Sequence, residues 1–171
     1  MFWWKRKEEK FPEQQNVLAP VSGDIIPLEE VPDTAFSHGS MGYGVAVQMT
    51  DGEVLSPIDG VVSYMAPTGH AFSIRSRDGA DVFVHIGLDT VKVGERGFAP
   101  RVRQGDEVQA GDLVCRVDMN LLHQYGCSTI TPVLLMENNL WEVKEMAQGQ
   151  VQAGIDWVWT YGVEEETQIR D

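Results

Sequence analysis

Basic residues are scarce in this chain: 13 Lys and Arg stand against 26 Asp and Glu in 171 residues, a formal charge of -13. A phosphate backbone would be repelled by such a surface, which excludes nucleic acid as the default partner. Long apolar runs are missing as well. Nothing approaches the roughly 18–20 consecutive apolar residues of a membrane span, and no apolar stretch of the kind that opens a secretory signal follows Met1. Cysteine is limited to Cys115 and Cys127, neither a C-x-x-C pair nor a disulfide framework, so a reducing cytoplasm is the expected location. There is no G-x-x-x-x-G-K-[ST] loop, which closes the P-loop route to a nucleotide phosphate.

What is present is enough apolar content, 43%, for one core, and a length that fits one domain. Short runs rich in Val, Ile and aromatic residues alternate with Gly, Pro and Asp, giving expected strands at residues 16–18, 23–27, 44–49, 52–55, 60–65, 71–76, 81–86, 113–117, 131–135 and 157–161. Only 120–125 and 138–146 could coil into short helices. That density of strands, with no long amphipathic helix to cover a sheet, predicts an all-β closed or two-sheet architecture. Trp157 and Trp159 read as packed strand residues. The expected domain runs over 16–161, between an N-terminal tail of 1–15 and an acidic C-terminal tail of 162–171. One weak internal repeat is visible: Val17-Leu18-Ala19-Pro20-Val21-Ser22-Gly23 resembles Val54-Leu55-Ser56-Pro57-Ile58-Asp59-Gly60, and a further turn-rich unit spans 105–112.

Of the four histidines, at 38, 70, 85 and 123, two flank one expected hairpin. Asp78-Gly79 suits a two-residue type I′ turn. That loop would pair Phe72 with His85 and His70 with Gly87, placing both imidazoles on one face; a one-residue slip would separate them. A lone histidine more often satisfies a strand end or a core polar group. Two on one face admit metal ligation, acid–base catalysis or reversible phosphorylation on a ring nitrogen. Taken singly, Phe36 and Phe83 read as core, and Asp33 and Asp89 as turn carboxylates.

Gly79-Ala80-Asp81-Val82-Phe83-Val84-His85-Ile86-Gly87-Leu88-Asp89-Thr90-Val91 resembles the signature around the phosphorylated histidine of glucose-type IIA domains of the bacterial sugar phosphotransferase system. The likeness extends to Ala19-Pro20-Val21-Ser22-Gly23, Val31-Pro32-Asp33, Thr68-Gly69-His70-Ala71-Phe72-Ser73-Ile74, Gly105-Asp106-Glu107-Val108 and Ser128-Thr129-Ile130-Thr131-Pro132-Val133. It implies a barrel-sandwich hybrid built on a duplicated motif, and a phosphotransferase component working through histidine without nucleotide. By that resemblance His85 takes a phosphoryl group from the histidine-containing phosphocarrier protein and passes it to a cysteine of a IIB domain of the sugar permease (IIB/IIC). His70 assists, with Thr68 bonded to its ring. Asp33 and Asp89 match acidic positions around the docking face, and Phe36, Met41 and Phe83 complete the candidate partner-binding set. A IIA domain can also regulate other proteins through the same face.

The chain departs from the family pattern at Ala66, where family members have a large aromatic residue two positions before the threonine, and at His38-Gly39-Ser40, which replaces a more charged and apolar stretch. No cofactor is required. The pair His70 and His85 could hold zinc at an interface, incompletely without a partner's ligand. A zinc metallopeptidase of related barrel type is the alternative of another class, but it needs a His-x-His that this chain lacks. A biotin or lipoyl carrier would need a lysine-bearing tip that is missing too.

Phe2-Trp3-Trp4 followed by Lys5-Arg6-Lys7 breaks the acidic pattern. Tryptophan favours a bilayer interface and each basic residue gains about 1 kcal/mol near anionic lipid, while Glu8 and Glu9 oppose it. Two readings stand: weak, reversible contact with the inner face of the membrane, or a head that packs its tryptophans on the domain. Under the first, deleting residues 1–10 lowers cosedimentation with anionic vesicles and leaves phosphorylation by a soluble donor intact. Absence of vesicle binding by the full chain at low salt selects the second.

Overall fold

The computed structural model describes residues 13–164. The aromatic and basic head with its expected membrane contact, and all but the first residues of the acidic tail, lie outside the described residues. In chain order the elements are β1 (Gln15–Leu18), β2 (Gly23–Pro27), a 3₁₀ turn (Leu28–Glu30), α1 (Thr34–Ser37), β3 (Gly42–Met49), β4 (Glu53–Leu55), β5 (Gly60–Met65), β6 (Ala71–Arg75) and β7 (Asp81–His85). Two 3₁₀ turns (Thr90–Val93 and Glu95–Gly97) then lead to β8 (Phe98–Pro100), β9 (Glu107–Val108), β10 (Leu113–Val117), α2 (Met119–Gln124), β11 (Ile130–Met136), β12 (Trp141–Met146), β13 (Gln150–Val151) and β14 (Trp157–Val163).

Strand alternation sorts the side chains into two layers. An eight-stranded sheet in the order β13-β2-β3-β11-β7-β6-β5-β9 faces two three-stranded sheets, β1-β14-β12 and β4-β10-β8. Val45, Val47, Val133, Leu135, Val82, Val84, Phe72 and Ile74 point to one side of the large sheet. They share a core with Val17, Val54, Val114 and Val158 of the small sheets. Trp159 is fully buried and donates Nε1–H to Val133 O at 3.0 Å, so it packs as its strand position predicts. On the other side of the large sheet, Ala46, Leu134, Phe83 and Ala71 are covered by Leu28, Val31 and Phe36. This is the expected all-β barrel-sandwich with two short helices.

The internal repeat has a physical meaning. Leu18 N–H donates to Pro57 O at 2.9 Å, and Leu55 N–H, its counterpart in the second copy, donates to Pro20 O at 2.8 Å. The copies therefore exchange equivalent bonds across a local two-fold relation. The unit at 105–112 is not a third copy of that segment. Its counterpart is 151–156: Gln109 N–H donates to Asp112 Oδ2 at 2.8 Å and Gln152 N–H to Asp156 Oδ2 at 2.7 Å. Ser56 N–H donates to Asp112 O and Ala19 N–H to Asp156 O, each at 2.8 Å. Val108 pairs with Gly60 and Val151 with Gly23, again at equivalent positions.

Two expectations are corrected. Residues 138–146 form no helix. Asn138 Oδ1 accepts from Leu140 N–H at 2.8 Å and Trp141 N–H at 2.5 Å, a side-chain turn that redirects the backbone, and Trp141–Met146 then pairs with β14. The β6–β7 loop has three residues, not two. Gly79 N–H donates to Ser76 O at 3.0 Å and Ser76 N–H to Ala80 O at 2.9 Å, with Gly79 at φ +91°, the arrangement of a turn closed by a left-handed glycine. The Asp78 carboxylate holds this tip by accepting from Tyr161 O–H at 3.1 Å and Gln15 Nε2–H at 3.1 Å, and from Ser76 Oγ–H. Both strands that carry the ends of the domain thus grip the hairpin that ends in His85.

Candidate active site

His85 closes β7 on the covered side of the large sheet, one alternation beyond Phe83 and opposite Ala71. Phe36 and Phe83 lie beneath it, only 4% and 7% exposed, with ring centroids 5.2 and 6.3 Å from the imidazole. They form the floor of the site and offer a partner little surface, which fits their reading as core rather than as contact residues. Met41, at the entry to β3, is exposed.

The three-residue loop shifts the hairpin by one position from the expected register: Ala71, not Phe72, faces His85. Phe72 accordingly belongs to the core. In continuous strands this slip would send His70 to the core side as well. It does not, because His70 precedes β6. The turn before it, closed by Gly69 N–H to Ala66 O at 2.8 Å and carrying Gly69 at φ +80°, interrupts the alternation. The His70 carbonyl accepts from Ile86 N–H at 2.7 Å. Its ring swings beside His85, edge-on at 5.2 Å between centroids. Phe98 also packs against His70, with ring centroids 6.3 Å apart.

Each ring is held by one nitrogen. His85 Nδ1 lies 2.6 Å from Gly87 O. A carbonyl only accepts, so Nδ1 carries the proton and the Nε2 lone pair is free. Gly87 sits at φ +70°, and a Cβ there would meet Ser128 O at 2.6 Å and Thr90 Cγ2 at 2.7 Å. Any other residue would add about 1–2 kcal/mol of backbone strain to those clashes. Thr68 Oγ1 and His70 Nδ1 share a hydrogen bond, as the resemblance implied for these two residues.

Burial pushes the His85 pKa below its ordinary value. The Gly87 carbonyl and the charges of Asp33 and Asp89 pull the other way and offset only part of the shift. Burial, then the neighbouring His85, lowers His70 too. Both shifts favour the neutral ring near pH 7, the form that leaves His85 Nε2 nucleophilic. Asp33 also caps α1, accepting from Ala35 N–H at 3.0 Å, and Asp89 adopts a left-handed conformation at φ +57°. Among the described residues no group of three or more His, Cys, Asp or Glu could hold a metal ion, so the two imidazoles form at most half of a tetrahedral set. Gly87 and Phe98 were missed as site residues. The His-x-Gly spacing hints at Gly87, whereas no local signal points to Phe98.

The sequence pattern of the family described as phosphoenolpyruvate-dependent sugar phosphotransferase system, EIIA 1, matches residues 15–140. The chain is 41% identical over 148 residues to the PTS system glucose-specific EIIA component of Oceanobacillus iheyensis, covering 86% of this chain and 90% of that one. It is 37% identical over 138 residues to the PTS system glucose-specific EIICBA component of Staphylococcus carnosus, covering 81% of this chain and 20% of that longer protein. The solved glucose permease IIA of Mycoplasma capricolum superposes with a TM-score of 0.81 at 33% identity, covering 93% of this chain and 99% of that one.

Lowered folded-state pKa values mean that the unfolded chain takes up protons first. Both histidines thus favour folding fully above pH 6.5, and that contribution is lost as pH falls from 6.5 towards the folded midpoints. NMR titration of the ring protons is expected to give midpoints below 6.5 for both. In a His85→Gln variant the His70 midpoint rises, because one of its two depressing causes is gone, and less stability is lost between pH 7 and pH 5. A His70 midpoint unchanged by that substitution would show that burial alone sets it.

Proposed function

The chain belongs to the EIIA 1 family of the phosphoenolpyruvate-dependent sugar phosphotransferase system, and from that premise we propose that His85 Nε2 is its phosphoryl acceptor, with the histidine-containing phosphocarrier protein as donor and a IIB domain of a IIB/IIC sugar permease as recipient. The observation that carries this reading is the 2.6 Å bond from His85 Nδ1–H to Gly87 O, which leaves the other nitrogen free on a neutral ring. In the first transfer the donor's N–P bond breaks, its electron pair returns to the donor imidazole, and a bond forms between His85 Nε2 and phosphorus. The ring gains positive charge as it does so, and the Gly87 carbonyl stabilises that charge through the Nδ1–H. In the second transfer a IIB cysteine thiolate attacks phosphorus and the His85 N–P bond breaks.

His70 is placed to assist. In the tautomer whose Nδ1 accepts from Thr68 O–H, the His70 Nε2–H is available to the phosphoryl oxygens, on which charge is spread in a loose transition state. Asp33, Met41 and Asp89 serve as rim contacts for the two protein partners. In the Staphylococcus carnosus relative the matched region is one part of a single EIICBA chain, which supports a permease partner here.

Incubation with phosphoenolpyruvate, enzyme I and the phosphocarrier, followed by mass mapping under alkaline conditions, should place acid-labile phosphate on His85. His85→Ala should take up none, whereas His70→Gln should accept phosphate and pass it poorly to IIB. Normal phosphorylation of His85→Ala sinks the assignment.

The same two imidazoles bind zinc weakly alone and more tightly where a partner adds a ligand. Calorimetry on the free protein is expected to show weak zinc binding that a His70→Ala/His85→Ala double variant abolishes; tight binding that survives the double substitution would refute the site.

A further inference from the structure

The segment Ser128-Thr129-Ile130-Thr131-Pro132-Val133 carries no group that touches a ring nitrogen, yet it runs directly behind the loop that follows His85. The β7–β11 ladder ends at Val84 and Val133. The next residue on β11, Pro132, has no N–H to donate. Pairing resumes only at Leu88 and Ser128, where Leu88 N–H donates to Ser128 O at 3.0 Å. Between those points the backbone around Gly87 has no ladder partner, and side chains take over.

Thr131 Oγ1 accepts from Gly87 N–H at 3.2 Å and donates onward to Thr129 O at 3.2 Å. Thr90 Oγ1–H donates to Ile86 O at 2.5 Å. Gly87 N–H and Ile86 C=O are the two ends of one peptide unit, so a pair of fully buried threonines from different elements grips that plane from both sides. The next plane carries the Gly87 carbonyl and is held through Leu88 N–H. A glycine at φ +70° has wide freedom of its own; with both flanking planes pinned, its carbonyl has one direction.

We infer that Thr131 and Thr90 are positioning residues for phosphoryl transfer, clamping the Ile86–Gly87 peptide so that the Gly87 carbonyl stays on His85 Nδ1 and keeps the lone pair on Nε2. The inference rests on His85 as the phosphoryl acceptor. Neither threonine touches the reacting atoms. Replacing Thr131 with valine keeps the shape and removes the acceptor, which strands a buried N–H. The peptide then turns to find another partner, the carbonyl moves, and the proton of His85 redistributes between its two nitrogens.

The test uses the full chain with ¹⁵N-labelled histidine. Thr131→Val and Thr90→Val are compared with Thr131→Ser and Thr90→Ser, which retain the hydroxyl. Thr160→Val is the control: a buried threonine of β14 bonded to Glu145 N–H and Gln14, away from the loop. In the wild type the ¹⁵N shifts should report Nδ1–H on His85. Each valine variant should show a mixture of tautomers, and phosphorylation by the phosphocarrier slowed about tenfold or more, the scale seen when supporting bonds behind a reacting group are lost. The serine variants should restore both readouts, and Thr160→Val should move neither. Wild-type tautomer and rate in folded Thr131→Val and Thr90→Val would overturn the clamp, as would equal losses in Thr160→Val.

Should a valine variant not fold, amide exchange in the wild type decides: Gly87 N–H must exchange far more slowly than an open loop amide, and exchange at a free-loop rate overturns the inference. Phosphate mapping to a residue other than His85 would bring down the functional reading instead, and the tautomer and exchange data would still judge the clamp.

Discussion

A neutral imidazole has one N–H and one lone pair, and something outside the ring must decide which nitrogen holds which. In this protein the Gly87 carbonyl decides it for His85. The acceptor is backbone and sits two residues along the same chain, so it cannot drift away from the ring as a long side chain would. Its direction depends on a left-handed glycine packed against Ser128 and Thr90. That in turn requires residues 128–131, which lead into β11, to lie where they do, and β11 is a central strand of the large sheet. Orientation of a single lone pair is thus tied to the placement of the whole barrel.

The electrostatic setting follows from the same position. His85 lies where the covered side of the sheet gives way to solvent, so burial is the largest influence on it and favours the neutral ring. Asp33 and Asp89 approach from different elements, one capping α1 and the other following the Gly87 turn. Their charges temper the shift without reversing it. A ring that were fully desolvated would lose access to its partners, and one that were fully exposed would spend more of its time protonated near neutral pH. The apolar floor of Phe36 and Phe83 sets the balance between these limits.

Duplication explains why so many short strands form one body. Equivalent bonds between Leu18 and Pro57 and between Leu55 and Pro20 stitch the two copies together at their matching points. The Asp112 and Asp156 turns cap each copy in the same way. The likeness of residues 17–23 to 54–60 was legible from the residues themselves. The second matching pair was not: Gly111-Asp112 is contiguous, whereas Ile155 separates Gly154 from Asp156, and that one inserted residue hides the correspondence in a linear reading.

Local chemistry alone determined a good deal of this protein. Short runs of β-forming residues set between Gly, Pro and Asp located the strands at 23–27, 60–65 and 113–117 with their observed limits, because that pattern is written in consecutive residues. The spacing around His70 and His85 marked them as candidates for the same reason. Tertiary structure decided how they meet. Asp78-Gly79 is compatible with loops of two or three residues, and the choice fell to Tyr161 and Gln15, which are far apart in sequence and bond Asp78 from the paired strands β1 and β14. The register slipped by one, and the imidazoles still came together because His70 lies just before the first residue of β6, where strand parity no longer applies. Turn length, the end of an alternation and the grip on Gly87 each depend on atoms distant along the chain, which only the folded arrangement brings within reach.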